Sequence, residues 1–430
     1  MNTFYIKNLK TPIAVLGLGK SGSEALSLLQ SAGYTPEQIV TYDEKNSSAQ
    51  FHTPEQMLSL APKTLVVSPG IPLNSDWIQK LASSGAHITS EITLAASLLT
   101  TEKIIGVTGS IGKSTVVSLL GVGVKVLDQN AFIGGNIGTP FCTYALKLIK
   151  GEPKAEWIIL ELSSYQLENC VQLVLDHSIV TFLSANHLER YANIEEYYQT
   201  KLKITSITKE FCLFGKTSKD GEKYSAQAKS KTKLVSADNF SKPDFLSNIY
   251  LLGKHNKDNF ALAAEMAALC HWPEASFMEM AQYRGLPHRL EFVAALGGIT
   301  YVNDSKATAM DSVLVAVKGC LDTLTSEAKL FLLLGGKDKN LPWSELSAPL
   351  AIPQVQVVFF GACGLIAKES TGLLGEYFEK LGSAINYCQK RARVGDVVLL
   401  SPGGTSLDEF KNFEERGDFF KTLVLSNFEA

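Results

Sequence analysis

Long apolar runs, paired cysteines and an imbalance of charge are all missing from this chain. No apolar stretch reaches the roughly 20 residues that cross a bilayer, which excludes a helical membrane protein. The seven cysteines, Cys142, Cys170, Cys212, Cys270, Cys320, Cys363 and Cys388, stand far apart with no C-x-x-C pair. That excludes a disulfide framework and a cysteine zinc site, and fits reduced thiols in a cytoplasm. The seven histidines are equally scattered. A net charge of −3 gives no basic field for nucleic acid or an anionic membrane, so neither is expected as a partner. The opening Met1-Asn-Thr-Phe-Tyr-Ile6 lacks the basic region and apolar core of a signal peptide, and a cytoplasmic location is expected. What is present is 45% hydrophobic and 19% charged residues, the balance of a globular protein, over 430 residues, enough for two to four domains. The most polar stretch, Lys216 to Lys242, reads as a surface loop or hairpin.

The richest local signal is Gly106-Val-Thr-Gly-Ser-Ile-Gly-Lys-Ser-Thr115. It follows the β-branched run Ile104-Ile105 and precedes Val116-Val-Ser-Leu-Leu120, which reads as the start of a helix. Strand, glycine-rich turn, Lys-Ser and helix are the context of a phosphate-binding loop. Gly109 and Gly112 let backbone N–H groups of Ser110 and its neighbours turn inward around phosphate oxygens, and the new helix adds its positive end. Lys113 would reach the β- and γ-phosphates, Ser114 would hold Mg²⁺, and Thr115 completes the register. Val107 stands where the strict pattern has its first glycine.

Around this loop the chain reads as α/β in three domains. Residues 1–95 hold strands at Ile13–Leu16, Gln38–Tyr42 and Thr64–Val67, and the turns Gly17-Leu-Gly-Lys-Ser-Gly22 and Ser68-Pro-Gly-Ile-Pro72. Glycines 17, 19 and 22 with Asp43 about 20 residues on satisfy a dinucleotide fingerprint, so this domain reads as Rossmann-like. Residues 96–285 form the central P-loop ATPase-type domain, with a second glycine turn, Gly134-Gly-Asn-Ile-Gly138, and a buried strand, Trp157-Ile-Ile-Leu160, that ends in Glu161. An acid at a strand end is where a P-loop protein makes its second Mg²⁺ contact. The helix Asn259–Leu269 is rich in good helix formers. Residues 286–430, opening with Leu286-Pro-His-Arg289, read as a second Rossmann-like domain with strands at Leu330–Leu334, Val355–Phe360 and Asp396–Leu400, each followed by glycines.

These motifs together resemble the Mur ligases, ATP-dependent amide-forming enzymes that build the peptide stem of peptidoglycan. The resemblance spans nearly the whole chain. Its anchors are Thr108-Gly-Ser-Ile-Gly-Lys-Ser114, Gly134–Gly138, Glu161-Leu-Ser-Ser-Tyr-Gln-Leu-Glu168, Leu286–Arg289, Asn303-Asp-Ser-Lys-Ala-Thr308 and Ser406-Leu-Asp-Glu-Phe-Lys-Asn-Phe413. The Asn303–Thr308 stretch points to the D-glutamate-adding member. The resemblance implies a monomer using ATP and two Mg²⁺ ions, with UDP-N-acetylmuramoyl-L-alanine and D-glutamate as substrates, and an acyl phosphate between them.

Site residues follow from the same resemblance. The UDP substrate would lie on Gly19, Lys20, Ser21, Asp43, Ser68, Gly70 and Asn136. For Asp43 a strand-end turn role is equally open. Glu161 and Ser114 would hold the first metal ion, while His187 and Lys201, the latter as a CO₂-derived carbamate, would serve the second. From its own neighbours Lys201 reads only as a solvated helix lysine beside Lys203. The nucleotide would meet Asn259, Arg289, Asp304 and Lys306, with His288 either sensing phosphate or packing between domains. Thr308, Lys339, Ser406, Leu407 and Phe413 would form the D-glutamate site. Lys113 and Lys339 lie in separate domains, which implies closure when ATP and the UDP substrate bind.

Some residues depart from the family pattern: Phe182 ahead of the His187 loop, Ala309 after Thr308, Pro402-Gly-Gly-Thr405, and Gly121 and Gly123, which interrupt the helix after the P-loop and should weaken it by about 1 kcal/mol each relative to Ala. Three other readings compete. One is a related ligase with another acceptor, such as folylpolyglutamate synthase. Another is an NAD-dependent oxidoreductase resting on Gly17 to Asp43, and the third is a P-loop nucleotide switch.

Overall fold

Short runs of β-branched and aliphatic residues, each leading into a helix, build three sheets in the computed structural model, which describes residues 3–184, 190–216, 219–242, 244–245, 250–251, 253–339 and 341–426. The first sheet joins β1 (Ile13–Leu16), β2 (Ile39–Tyr42), β3 (Thr64–Val67) and β4 (His87–Thr89) in the order β2-β1-β3-β4, all parallel. The second contains β5 (Lys103–Thr108), β6 (Phe132–Gly135), β7 (Trp157–Glu161), β8 (His177–Val180), β9 (Phe211–Gly215) and β10 (Lys231–Val235). Its order is β10-β9-β8-β5-β7-β6, again all parallel. The third contains β11 (Glu291–Leu296), β12 (Ile299–Asn303), β13 (Leu330–Gly335), β14 (Val355–Phe360), β15 (Gly375–Phe378) and β16 (Val397–Gly403) in the order β11-β12-β16-β13-β14-β15. Within it the β11–β12 pair is antiparallel and the other pairs are parallel.

β1, β3, β7 and β13 are buried along their whole length, as helices on both faces of a parallel sheet require. The chain divides into two compact units. Residues 1–241 and 258–280 form the first, which carries the first two sheets. Residues 242–257 and 281–430 form the second, which carries the third sheet. In the first unit the apolar side chains of Ile13, Val15 and Leu28 belong to one core with Ile158, Leu160 and Val180 of the second sheet. In the second unit separate cores cover the two faces of the third sheet, one around Leu332, Leu334 and Trp343, the other around Leu333, Leu400 and Phe420.

Two expectations are corrected. The polar stretch from Lys216 to Lys242 is no plain loop or hairpin: it contains the helix Lys219–Ser225 and β10, which pairs in parallel with β9. β10 is an edge strand with three exposed residues, so it lacks the apolar pattern that marks the inner strands. Gly121 and Gly123 do not interrupt the helix after the P-loop, which runs unbroken over Lys113–Val124. They are points of close approach: a Cβ on Gly121 would come 3.2 Å from Ile133 Cγ1, and one on Gly123 3.1 Å from Met280 Cγ. Among the described residues, no helix is long and apolar enough to cross a membrane.

Candidate active site

The phosphate-binding loop forms where β5 ends and the helix Lys113–Val124 begins, with Gly112 as N-cap. Gly109 has φ +140°, and a Cβ there would fall 2.0 Å from Thr181 Oγ1, so only glycine fits. The loop is held from β8 outward. Ser110 N–H donates to the Phe182 carbonyl (2.8 Å), and Thr181 Oγ1 lies 2.6 Å from the Ile111 carbonyl. Phe182 thus serves through its backbone, which explains why an unusual side chain is tolerated there. Ser110 Oγ donates to the Ser184 carbonyl (2.8 Å) and receives Tyr197 OH (3.1 Å). Ser114 and Thr115 are half-buried in the first helical turn. Asn259 lies against the loop, its Oδ1 only 2.4 Å from where a Gly112 Cβ would be.

Lys113 folds back, donating from Nζ to the carbonyls of Gly109 (2.8 Å) and Ser110 (3.0 Å). Lys201 Nζ reaches the same Gly109 carbonyl at 2.8 Å. Lys201 is not the solvated helix lysine its neighbours suggest: it is 2% exposed and faces the Tyr197 ring at 4.7 Å. Burial pushes its amine down to about 6, Lys113 pushes it the same way, and Glu161 opposes both. Near neutral pH its amine is therefore mostly uncharged.

Glu161 ends β7 fully buried. Its Oε1 accepts from Asn136 Nδ2 (2.8 Å), whereas Oε2 has no hydrogen-bond partner among the described residues. A buried carboxylate oxygen left without a donor suits a hard cation, and Mg²⁺ takes few protein oxygens beside phosphate and water. Among the described residues, no group of three or more His, Cys, Asp or Glu side chains could hold a metal ion. Asn136, expected on the UDP substrate, is exposed and directs its amide at Glu161. His187 lies outside the described residues. Gly135, at φ +102°, would place a Cβ 2.3 Å from the Glu161 carbonyl. Gly135→Ala is therefore expected to cost about 1–2 kcal/mol for the left-handed backbone alone, with steric overlap in addition. Calorimetric unfolding reads the resulting drop in Tm.

In the first sheet the turn after β1 is locked by its neighbours. Ser68 Oγ donates to the Gly17 carbonyl (2.8 Å). Asp43 Oδ2 accepts from Leu18 N–H (2.8 Å), and its Oδ1 from Lys45 and Asn46 N–H (2.9 Å each). Those three donors hold the Asp43 carboxyl below its usual range. Both oxygens serve the turn, the local role the sequence left open. Gly19 caps the helix Lys20–Ser31, whose first residues Lys20 and Ser21 stand at its positive end, while Gly70 is exposed in the loop after β3.

In the second unit Asn303 ends β12 and its amide bridges His288 Nδ1 (3.1 Å) and Glu291 Oε2 (2.9 Å). His288 (φ +62°) and Leu290 (φ +43°) flank the exposed Arg289 with left-handed backbone, strain of the kind found at working sites. His288 is buried edge-on against Phe413 at 5.9 Å, within its own unit. Asp304 is buried, accepting from Ser401 Oγ (2.9 Å) and Leu290 N–H (3.1 Å). Burial pushes its carboxyl up to about 7, against the lowering effect of both donors and of Arg289. The folded state then binds more protons than the unfolded one between about pH 4 and 7, so stability falls as pH rises through that window. Asp304→Asn is expected to flatten that slope in Tm against pH. An unchanged slope would assign it to other groups.

Lys306 Nζ sits over the Phe413 ring at 4.2 Å. Thr308 is half-buried, Ser406 buried and Leu407 exposed. Lys339 is exposed in the loop after β13, which Asp338 steadies by accepting from Trp343 Nε1 (3.1 Å). Ala309 stands at the N-cap of the helix Met310–Leu321 with no side-chain cap. Arg416, which no sequence motif singles out, ties these pieces together. It is fully buried, and donates to Ser305 Oγ (3.0 Å), the Ser305 carbonyl (2.8 Å) and the Gly404 carbonyl (3.1 Å). Its signal was helical spacing: Arg416 and Gly417 share the buried face of Phe413–Ser426 with Phe420 and Val424.

Fold and loop define a P-loop nucleotide-dependent enzyme built on three doubly wound sheets. Residues 107–250 match the model of the Mur ligase middle domain. The UDP-N-acetylmuramoylalanine–D-glutamate ligase of Haemophilus influenzae (strain 86-028NP) is 32% identical over 452 residues, covering 99% of each chain. The enzyme of that name from Mannheimia succiniciproducens is 32% identical, covering 96% of this chain and 97% of its own. Among solved structures, the MurF ligase of Thermotoga maritima in complex with ADP shares the fold, with TM-score 0.58 and 15% identity over 98% of this chain and 97% of its own. The chain belongs to the Mur ligase family.

Proposed function

We infer that this chain is the ATP-dependent ligase that adds D-glutamate to UDP-N-acetylmuramoyl-L-alanine in peptidoglycan precursor synthesis. The observation that carries this reading is its end-to-end similarity to enzymes of that name. A carboxylate at neutral pH is a poor electrophile, so the reaction must activate it with ATP. In this reading the alanine carboxylate takes the γ-phosphoryl group, giving an acyl phosphate and ADP. The D-glutamate amine then attacks the acyl carbon and expels phosphate.

Phosphoryl transfer between two anions needs positioned positive charge above all. Lys113 swings from its own loop carbonyls to the β- and γ-phosphates, while the loop N–H groups cradle them. Ser114 and the free oxygen of Glu161 would hold the first Mg²⁺. An Mg²⁺ ion held there would neutralise charge developing on the transferred phosphoryl group. Asn136 orients Glu161 for that contact. His187 and Lys201 are proposed for the second ion, Lys201 as a carbamate. Asn259, Arg289, Asp304 and Lys306 are assigned to the nucleotide, and Gly19, Lys20, Ser21, Asp43, Ser68, Gly70 and Asn136 to the UDP substrate. Lys339, Thr308, Ser406, Leu407 and Phe413 are assigned to D-glutamate, whose two carboxylates call for a cation. The divisions at about residues 95 and 285, a cytoplasmic location and a monomeric state belong to the same reading.

An oxygen-18 experiment tests the chemistry. With label in the alanine carboxylate, one labelled oxygen is expected in the released phosphate. Unlabelled phosphate would exclude the acyl phosphate.

A further inference from the structure

The loop after β3 and the segment after β7 come from different sheets of the first unit, and one side chain joins them. Arg190 Nη1 donates to the Pro69 carbonyl (2.8 Å) and Nη2 to the Ile71 carbonyl (3.3 Å). On the other side its Nε and Nη2 form a two-pronged pair with Glu168, at 3.1 and 2.6 Å. The guanidinium lies over the Tyr165 ring at 4.1 Å, and Tyr191 OH fills a further position on Glu168 (2.7 Å). Arg190 and Glu168 side chains are only 9% and 15% exposed.

We propose that Arg190 is a positioning residue that fixes the loop Ser68–Ile71 against the segment carrying Glu161, and so sets where the UDP substrate meets the phosphoryl-transfer site. Three observations support it. The loop turns carbonyl oxygens toward this segment, so a donor must hold it, and four N–H groups of a planar fork are engaged at once, which a lysine cannot match. A cavity of about 10 Å³, room for one water, lies between the two segments, lined by Ser68, Ile71, Tyr165, Asn169 and Arg190, so the fork spans a gap at this point. Glu168 ends the short helix Ser164–Glu168, whose start is three residues beyond Glu161, so the fork anchors to the chain that aims that carboxylate. A misplacement of about 1 Å at a reacting centre can cost on the order of 100-fold in rate.

This rests on assigning Ser68 and Gly70 to the UDP substrate. The test is calorimetric titration of UDP-N-acetylmuramoyl-L-alanine without ATP, followed by steady-state kinetics, on wild type, Arg190→Met and Arg190→Lys. Expected for Arg190→Met are at least a tenfold weaker affinity and higher KM for the UDP substrate and a lower kcat, with the KM for D-glutamate within twofold of wild type. Arg190→Lys should recover part of the affinity, and it decides the matter if the methionine variant does not fold. Folded variants with wild-type affinity for the UDP substrate would overturn the proposal. So would an equal rise in KM for every substrate, the mark of a merely structural role. If wild type itself does not bind the UDP substrate, the underlying site assignment fails first and the proposal falls with it.

Discussion

Lys113→Ala is expected to lower phosphate release by at least about 100-fold, the scale on which a single positioned charge stabilises a transferring group. The fold should survive. Lys113 is half-buried, and the Gly109 carbonyl it would leave still accepts from Lys201 Nζ. Stability should therefore stay within about 1 kcal/mol of wild type. Lys113→Arg is expected to restore little, because a guanidinium fork cannot occupy the space of a compact ammonium beside Gly109. Phosphate release with ATP and both other substrates, alongside a thermal melt, separates loss of chemistry from loss of fold. A variant retaining more than a tenth of wild-type activity would deny Lys113 its place on the γ-phosphate.

Lys201→Arg is expected to cost a comparable factor, and to abolish the dependence on CO₂ expected of wild type. Only a neutral amine attacks CO₂; its nitrogen bonds the carbon and a proton leaves to water. An ordinary lysine is almost wholly protonated at pH 7, but burial and Lys113 bring Lys201 to about 6. Above that pH the amine is free to react, and as pH falls through about 6 the carbamate should be lost. A carbamate replaces a buried neutral amine beside Lys113 with an anion able to meet Mg²⁺. Carbon-13 NMR under labelled CO₂ should show one carbamate signal in wild type and none in Lys201→Arg. Activity should fall in bicarbonate-free buffer and return when bicarbonate is added. Absence of both effects would leave Lys201 as a neutral donor to the Gly109 carbonyl.

Much of this was legible in the sequence where function is local along the chain. A phosphate-binding loop needs its glycines, lysine and serine within one turn, so Gly109 to Ser114 could be read directly. The inner strands were legible because burial on both faces leaves continuous apolar runs, as in β7 and β13. β10 was not, because an edge strand with exposed lysines carries no such run. Residues whose roles depend on distant partners were hidden too. Lys201 owes its burial to the P-loop lying 92 positions away. Arg190 owes its role to carbonyls 121 and 119 positions away. Asp43 could be read as an acid at the right distance, but not as one whose oxygens are occupied by three backbone donors. Gly121 and Gly123 invited a propensity argument, whereas their neighbours on other elements set their role.

The most direct measurement is phosphate release from ATP with UDP-N-acetylmuramoyl-L-alanine across D-glutamate, L-glutamate and other amino acids. Release that requires D-glutamate, and is lost in Lys113→Ala, is the predicted result. Release supported by a different amino acid, or independent of any acceptor, would contradict the assignment of D-glutamate as the substrate.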